Sequence, residues 1–177
     1  FIQTVDRSRQ RTVDMVVDVK GLILQGTNRM VIAQGTNTVT VEGGGYLQQA
    51  HTFRGQGGPF IANGNFSLSG GTFIAPSNNS LFCRTDFLHS GGVFTNNSGI
   101  VVFDGATVMG DTVANPFNNI VINGSLTAPA TLRLVSNFVN NGTFDANAGT
   151  IYFQSNTTVS GVGTTTFNRV EIGGILT

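Results

Sequence analysis

Two histidines, one cysteine and a scatter of carboxylates are the residues in this sequence with chemistry to offer. Their spacing decides whether they act together. His51 and His89 stand 38 residues apart, and Cys83, though near His89, completes no spacing of the kind that holds zinc. A polysaccharide lyase or hydrolase built on stacked strands needs carboxylates gathered for calcium or for acid–base work, with Arg or Lys beside them. Arg84 and Asp86 can project on one face, but when the internal repeats described below are aligned, Asp104 falls opposite Gln154 and Asp145 opposite Thr95. Acidic residues therefore do not recur at equivalent places, and they read as isolated surface charges. The serines occupy turn contexts without a nucleophile elbow. Glycine-rich runs such as GVG at 161–163 precede no helix and cannot be read as phosphate cradles. The expectation is a protein that is not an enzyme and that uses no metal or cofactor.

The composition agrees with that emphasis. Only 10% of the 177 residues are charged, against about a quarter in a typical soluble domain, while Gly contributes 24 and Phe 14. Asn, Thr, Ser and Gln must cover the surface, and there is enough apolar material for a core. With nine basic and nine acidic side chains the formal net charge is zero, which gives no field for nucleic acid or anionic lipid. Neither nucleic-acid binding nor membrane insertion is expected. The lone Cys83 reads as a small buried hydrophobe. No apolar run reaches membrane-spanning length and no signal-peptide pattern opens the chain; its start at Phe1 suggests a processed form or an excerpt.

What positions these residues is a repeat. FRGQGGPF at 53–60, FSLSGGTF at 66–73 and FLHSGGVF at 87–94 share the form Phe, three residues, Gly-Gly, one residue, Phe, and FVNNGTF at 138–144 is a copy shortened by one. A further Phe follows nine residues on, at Phe82, Phe103 and Phe153. FNNIVINGSLT at 117–127 returns as FNRVEIGGILT at 167–177, carrying Phe117 and Phe167. Between these marks lie β-rich runs of four to six residues bounded by Gly or Asn, and no window has helical periodicity.

Short strands in repeating register predict an all-β, parallel β-helix (β-solenoid) of about 20-residue coils, expected to be right-handed, as a single domain over 1–177. Residues 1–50 read as degenerate N-terminal coils and 51–177 as the Phe/Gly-rich coils. The alignment predicts three interior columns: Phe66, Phe87 and Phe138; Phe73, Phe94 and Phe144; Phe82, Phe103 and Phe153. Asn pairs at 96–97, 118–119 and 140–141 either tolerate the bends or form amide ladders between coils. The sequons at Asn65, Asn78, Asn96, Asn123, Asn141 and Asn156 read as a by-product of Asn beside Ser and Thr at corners.

At NFSLSGGTF, NFVNNGTFDANAGTIYF and FNRVEIGGILT the chain resembles the long repeat regions of large secreted surface proteins of Bacteroidota, adhesin-like or filament-like β-solenoids. The resemblance covers roughly residues 60–177. It implies an extracellular or cell-surface location and export by the type IX secretion system, although no sorting domain is recognisable in these residues. DTV at 111–113 is similar to the short O-glycosylation motif of those bacteria.

The function these observations predict is a structural one, a surface fibre or adhesin stalk, with self-association end to end or continuation into further coils of a longer chain. The assembly residues would be Arg7, Arg9 and Arg11 on one side of an extended arm, and Ile172, Ile175 and Leu176 in the apolar last segment. The alternative is a carbohydrate-binding or carbohydrate-active β-helix whose groove exposes Tyr46, Tyr152, Asn and Asp to glycans.

Overall fold

The computed structural model of the protein describes residues 10–12, 17–26, 30–111 and 115–177. Arg7 and Arg9 lie outside them, as do Thr112 and Val113 of the DTV motif. Among the described residues there are 23 strands and no helix. Most strands are three or four residues long, since Gly and Asn punctuate the chain before a longer strand can form.

All neighbouring strands pair in parallel, forming a β-solenoid of about seven turns spaced roughly 20 residues apart. Each turn visits three faces in order. The first carries a five-stranded sheet that includes Thr72–Ile74 and Val93–Thr95, then a three-stranded one that includes Thr150–Phe153. Phe117 links the two, bridging to Leu134 while its ring lies 5.4 Å from that of Phe94. The second face is an eight-stranded sheet and the third a seven-stranded one.

Side chains alternate in and out along each strand, and the inward ones stack on their register partners. Ile32, Phe53, Phe73 and Phe94 follow one another on the first face, and Leu22, Tyr46, Phe66, Phe87 and Met109 on the third. Rings within a column lie nearly parallel: Phe66 and Phe87 at 5.1 Å and 5°, Phe53 and Phe73 at 5.1 Å and 7°. Rings of different columns meet edge to face, Phe66 on Phe73 at 4.8 Å and 84°, Phe87 on Phe94 at 5.5 Å and 89°. Both arrangements satisfy the ring quadrupole.

Local pattern sets the corners. In the motifs at 66–73 and 87–94 the second glycine has positive φ, 74° at Gly71 and 76° at Gly92, where an L side chain is strained. Asn97 and Ser98, then Asn147 and Ala148, take the left-handed conformation in equivalent turns closed by Gly99 N–H to Asn96 O and Gly149 N–H to Ala146 O. Buried amides tie other corners. Gln48 donates through Nε2 to the carbonyls of Ala50, His51 and Thr72, and Gln34 to those of Asn37 and Pro59.

The predicted columns hold for two pairs, Phe66 with Phe87 and Phe73 with Phe94. Phe138 is instead in register with Ile120 on the second face, Phe144 with Leu126 on the third, and Phe153 with Leu134 on the first. The motif therefore marks a corner and not a particular corner: it joins third face to first at 66–73 and 87–94, first to second at 53–60, and second to third at 138–144. Phe82 is also corrected. Leu81 and Cys83 are the buried neighbours, so Phe82 points outward, while Phe103 lies inward opposite Cys83. Phe66, Phe73, Phe87, Phe94, Phe103, Phe117, Phe138, Phe144 and Phe153 are all buried, and Phe167 packs partly buried against them.

The displacement follows from the spacing of the copies. The motif starts at Phe53, Phe66, Phe87 and Phe138, and of the steps between them only the 21 residues from Phe66 to Phe87 match one coil, while 13 and 51 do not fit whole coils of roughly 20. Coil length itself also varies, 21 residues from Asn63 to Arg84, 18 from Asn123 to Asn141 and 21 from Phe138 to Val159. The six-residue strand Ala106–Asp111 absorbs the change. Met109–Asp111 pair with Phe87–His89 of one neighbouring coil, Ala106–Val108 with Ser125–Thr127 of the other.

Candidate functional site

The residues that opened the sequence reading do not converge. His51 holds its Nε2 2.8 Å from the Gln25 carbonyl at a corner, with φ of 65°. Cys83 is buried and free, and burial raises its thiol pKa far above the usual range. His89 lies in the core beside Asp111, Nδ1 to Oδ1 3.3 Å, so this pair is part of the interior packing. Among the described residues no group of three His, Cys, Asp or Glu side chains is placed to hold a metal ion.

The two tyrosines of the glycan reading part company. Tyr46 is not exposed: it sits in the third-face column at 1% exposure, its hydroxyl donating to Gln48 Oε1 at 2.6 Å. Stacking on Phe66 fixes the ring inward, and Gln48 removes the cost of burying the hydroxyl. Tyr152 projects from the first face with the Arg133 guanidinium 5.3 Å from its ring centroid, beside a shallow cleft of about 330 Å³ that Glu171 also lines. A second cleft, about 460 Å³, lies between Gly43–Gly45 and Asn63–Asn65. Neither contains a stacking ring with both faces bare and a converging set of carboxylates.

What the coils do bring together is a ladder. At the corner from second to third face six successive coils each offer one polar side chain, Glu42, Asn63, Arg84, Asp104, Asn123 and Asn141, with Lys20 in register before them. Asn63 Nδ2 donates to Glu42 Oε2 at 2.8 Å, Arg84 Nη1 to Asn63 Oδ1 at 2.8 Å, Asn123 Nδ2 to Asp104 Oδ1 at 3.2 Å and Asn141 Nδ2 to Asn123 Oδ1 at 3.1 Å. Arg84 Nε lies 3.7 Å from Asp104 Oδ2 and closes the gap. The sequence reading missed this row, although a signal was present: every member except Arg84 is followed by Gly. The amide ladder it did anticipate exists in part. Of the anticipated pairs, Asn119 accepts from Asn137 Nδ2 at 3.0 Å and Asn141 donates to Asn123 Oδ1 in the row above, whereas Asn96, Asn97 and Asn140 reach carbonyls at Pro116, Ala75 and Thr164.

The last coil is the other notable surface. Ile172 pairs with the buried Phe153 and faces inward, yet is 52% exposed, because among the described residues no strand lies on its far side. Ile175 is 61% exposed, while Leu176 is half-buried and its backbone bridges to Thr157. Arg11 lies in the first strand, Gln10–Thr12, paired with Val31–Ala33. The described residues contain no helix long and apolar enough to cross a membrane. No protein-family model matches the sequence, and comparison with curated proteins and with solved structures found no match.

Proposed function

We propose that the chain is a structural module of a secreted cell-surface fibre or adhesin stalk, in which coils continue end to end. The observation that carries this reading is the coil-to-coil continuity of the stack. Main-chain bonds, ring columns and a side-chain ladder run through successive coils, so load applied to one coil passes to the next through many parallel bonds. Ile172, inward-facing and uncovered, supplies the apolar seat for a following coil, either of another copy or of a longer chain. The style of the Phe and Asn-Gly repeats, similar to Bacteroidota surface repeats, supports an extracellular setting. Glycan binding has less support, since Tyr46 is inside the core.

Electron microscopy of the purified chain at rising concentration tests end-to-end stacking by second copies. Filaments of constant width, shortened or abolished by Ile172→Asp or Ile175→Asp, are the expected result. Single short particles at every concentration, unchanged by either substitution, would refute stacking between copies. Polysaccharide cleavage or tight glycan capture by the chain would replace the scaffold reading with the carbohydrate one.

A further inference from the structure

The outer surface of the second face differs from the other two. Its central outward column runs Thr40, Ile61, Phe82, Val102, Val121, Val139, each in register with the next, and is bounded by the polar Asp18 at one end and Ser160 at the other. Five of the six are large and apolar, and Val102, though it points outward, retains only 6% exposure between Phe82 and Val121. On the first face the equivalent rows are broken by Thr52, Thr72 and Arg54, or consist of Thr131, Thr150 and Arg169; on the third, Ser67 interrupts Leu47 and Leu88. The five apolar members are half-buried or, at Val102, buried against one another, and their outer atoms form one unbroken apolar band, the kind of surface that marks an association site.

The rows beside the stripe say with what. Two residues further along each strand stands the ladder, Glu42, Asn63, Arg84, Asp104, Asn123, Asn141, side by side with Thr40 to Val139. Take a two-fold axis parallel to the strands, passing between the Phe82 and Val102 rows. Rotation about it lays the stripe on the same stripe of a second copy, running the opposite way, and keeps ladder against ladder. Phe82 then faces Val102 of the other copy, Ile61 faces Val121, and Thr40 faces Val139. In the ladder Arg84 faces Asp104, Asn63 faces Asn123, and Glu42 faces Asn141. Moving the axis by half a coil either way sets Arg84 against Arg84 or Asp104 against Asp104. An axis on the Asn63 row would also set Arg84 against an acid, Glu42, but it lays Phe82 on Thr40 and Val102 on the charged Asp18, so charge order and apolar overlap together select the first register.

We infer that the second face is a lateral, antiparallel two-fold interface between copies of this chain, with Phe82 and Val102 at its centre and the Arg84/Asp104 rungs fixing its register. The pairing runs side to side and stands or falls separately from the end-to-end stacking proposed above. Three outward positions across and six coils along span roughly 13 by 24 Å, or about 300–400 Å² per copy. That is below the roughly 800 Å² per partner of a standard stable complex, so an isolated chain should pair weakly, at about 0.1–1 mM.

Sedimentation velocity on wild type, Arg84→Asp and Asp104→Arg, each alone and as an equimolar mixture of the two variants, reads the interface directly. Wild type should approach a doubled mass with rising concentration. Each variant alone should stay monomeric, because its four central rungs carry one sign. The mixture should recover the doubled mass, since an all-acidic centre then meets an all-basic one, and that recovery also shows both variants folded. A wild type that stays monomeric to about 1 mM, variants that pair as wild type does, or a mixture of variants, both folded by circular dichroism, that fails to pair would overturn the inference. Ile172→Asp, which tests the stacking end, should leave the lateral dimer unchanged.

Discussion

Phe82 and Phe87 are five residues apart in a chain whose phenylalanines look interchangeable, yet replacing each with Ala should have very different consequences. Phe87 is completely buried, stacked on Phe66 at 5.1 Å and edge-on to Phe94 and Phe117 at 5.5 and 5.6 Å. Its removal leaves a ring-sized void between three coils that the main-chain ladder prevents from collapsing. Phe to Ala at such sites costs about 3–5 kcal/mol. Phe82 points out between Ile61 and Val102 and forfeits only cross-strand contact, about 0.2–1 kcal/mol. With a urea m-value of about 2 kcal/mol per molar, the midpoint should fall by roughly 2 M for Phe87→Ala and by less than about 0.5 M for Phe82→Ala. The measurement belongs at micromolar protein, where lateral pairing contributes nothing. Hydrogen exchange should localise the Phe87→Ala loss to the coils on either side of it, as nearest-neighbour coupling requires. Equal midpoint shifts, or a larger one at Phe82, would refute the inward and outward assignments of the strand Ser80–Cys83 and of the column built on Phe66.

Gly71→Ala should destabilise by about 2–4 kcal/mol, because the φ of 74° strains an L residue and the new Cβ would lie 2.4 Å from the His51 carbonyl oxygen. Gly43→Ala, where a Cβ meets nothing within 4 Å and φ is ordinary, should be neutral or stabilising by up to about 1 kcal/mol; paired thermal melts separate the two. Cys83 should react with a thiol reagent only as fast as its coils open, so labelling should accelerate in parallel with denaturant. Stability should also fall at alkaline pH. Burial raises the folded pKa values of Cys83 and Tyr46 above their ordinary values of 9.0 and 10.0, so the unfolded chain ionises first and is favoured as pH climbs past about 9. Cys83→Ala should remove the earlier part of that alkaline loss, and an unchanged profile would contradict the burial of the thiol.

The repeating elements were legible because their signals are local. Gly and Asn after most of the short β-rich runs define strand and corner, and these require no knowledge of what lies above or below. Which face a given Phe occupies depends on how many coils, whole or part, separate it from the previous copy of its phrase. FNNIVINGSLT and FNRVEIGGILT illustrate the point, since the copies start 50 residues apart, about two and a half coils. The first places Asn119–Ile122 on the second face, while the second places Arg169–Ile172 on the first, so nearly the same phrase builds the same bend one face apart. Tyr46 was misread for a different reason. A phenol reads as a surface group unless its hydroxyl partner is known, and Gln48, two residues away on the same strand, is that partner. The ladder escaped notice because its members differ in chemistry, and only the Gly that follows most of them recurs.

That difference in chemistry is where the solenoid has freedom. An inward position is held by the columns: Phe66 must fit Tyr46 below and Phe87 above, so a change at one coil is felt at two others. A ladder position meets its neighbours only through side-chain tips, and Glu, Asn, Arg and Asp are all accommodated along a single row at one strand spacing per coil. Any order of charges there gives nearly the same fold, yet each order presents a different pattern to whatever lies alongside. An acid and a base at adjacent central rungs, with amides on either side of them, form a pattern that complements its own two-fold image. Reversing either charge gives up the exposed Arg84–Asp104 contact and should leave the coil folded while destroying that complementarity, which is why the paired variants Arg84→Asp and Asp104→Arg can separate recognition from folding.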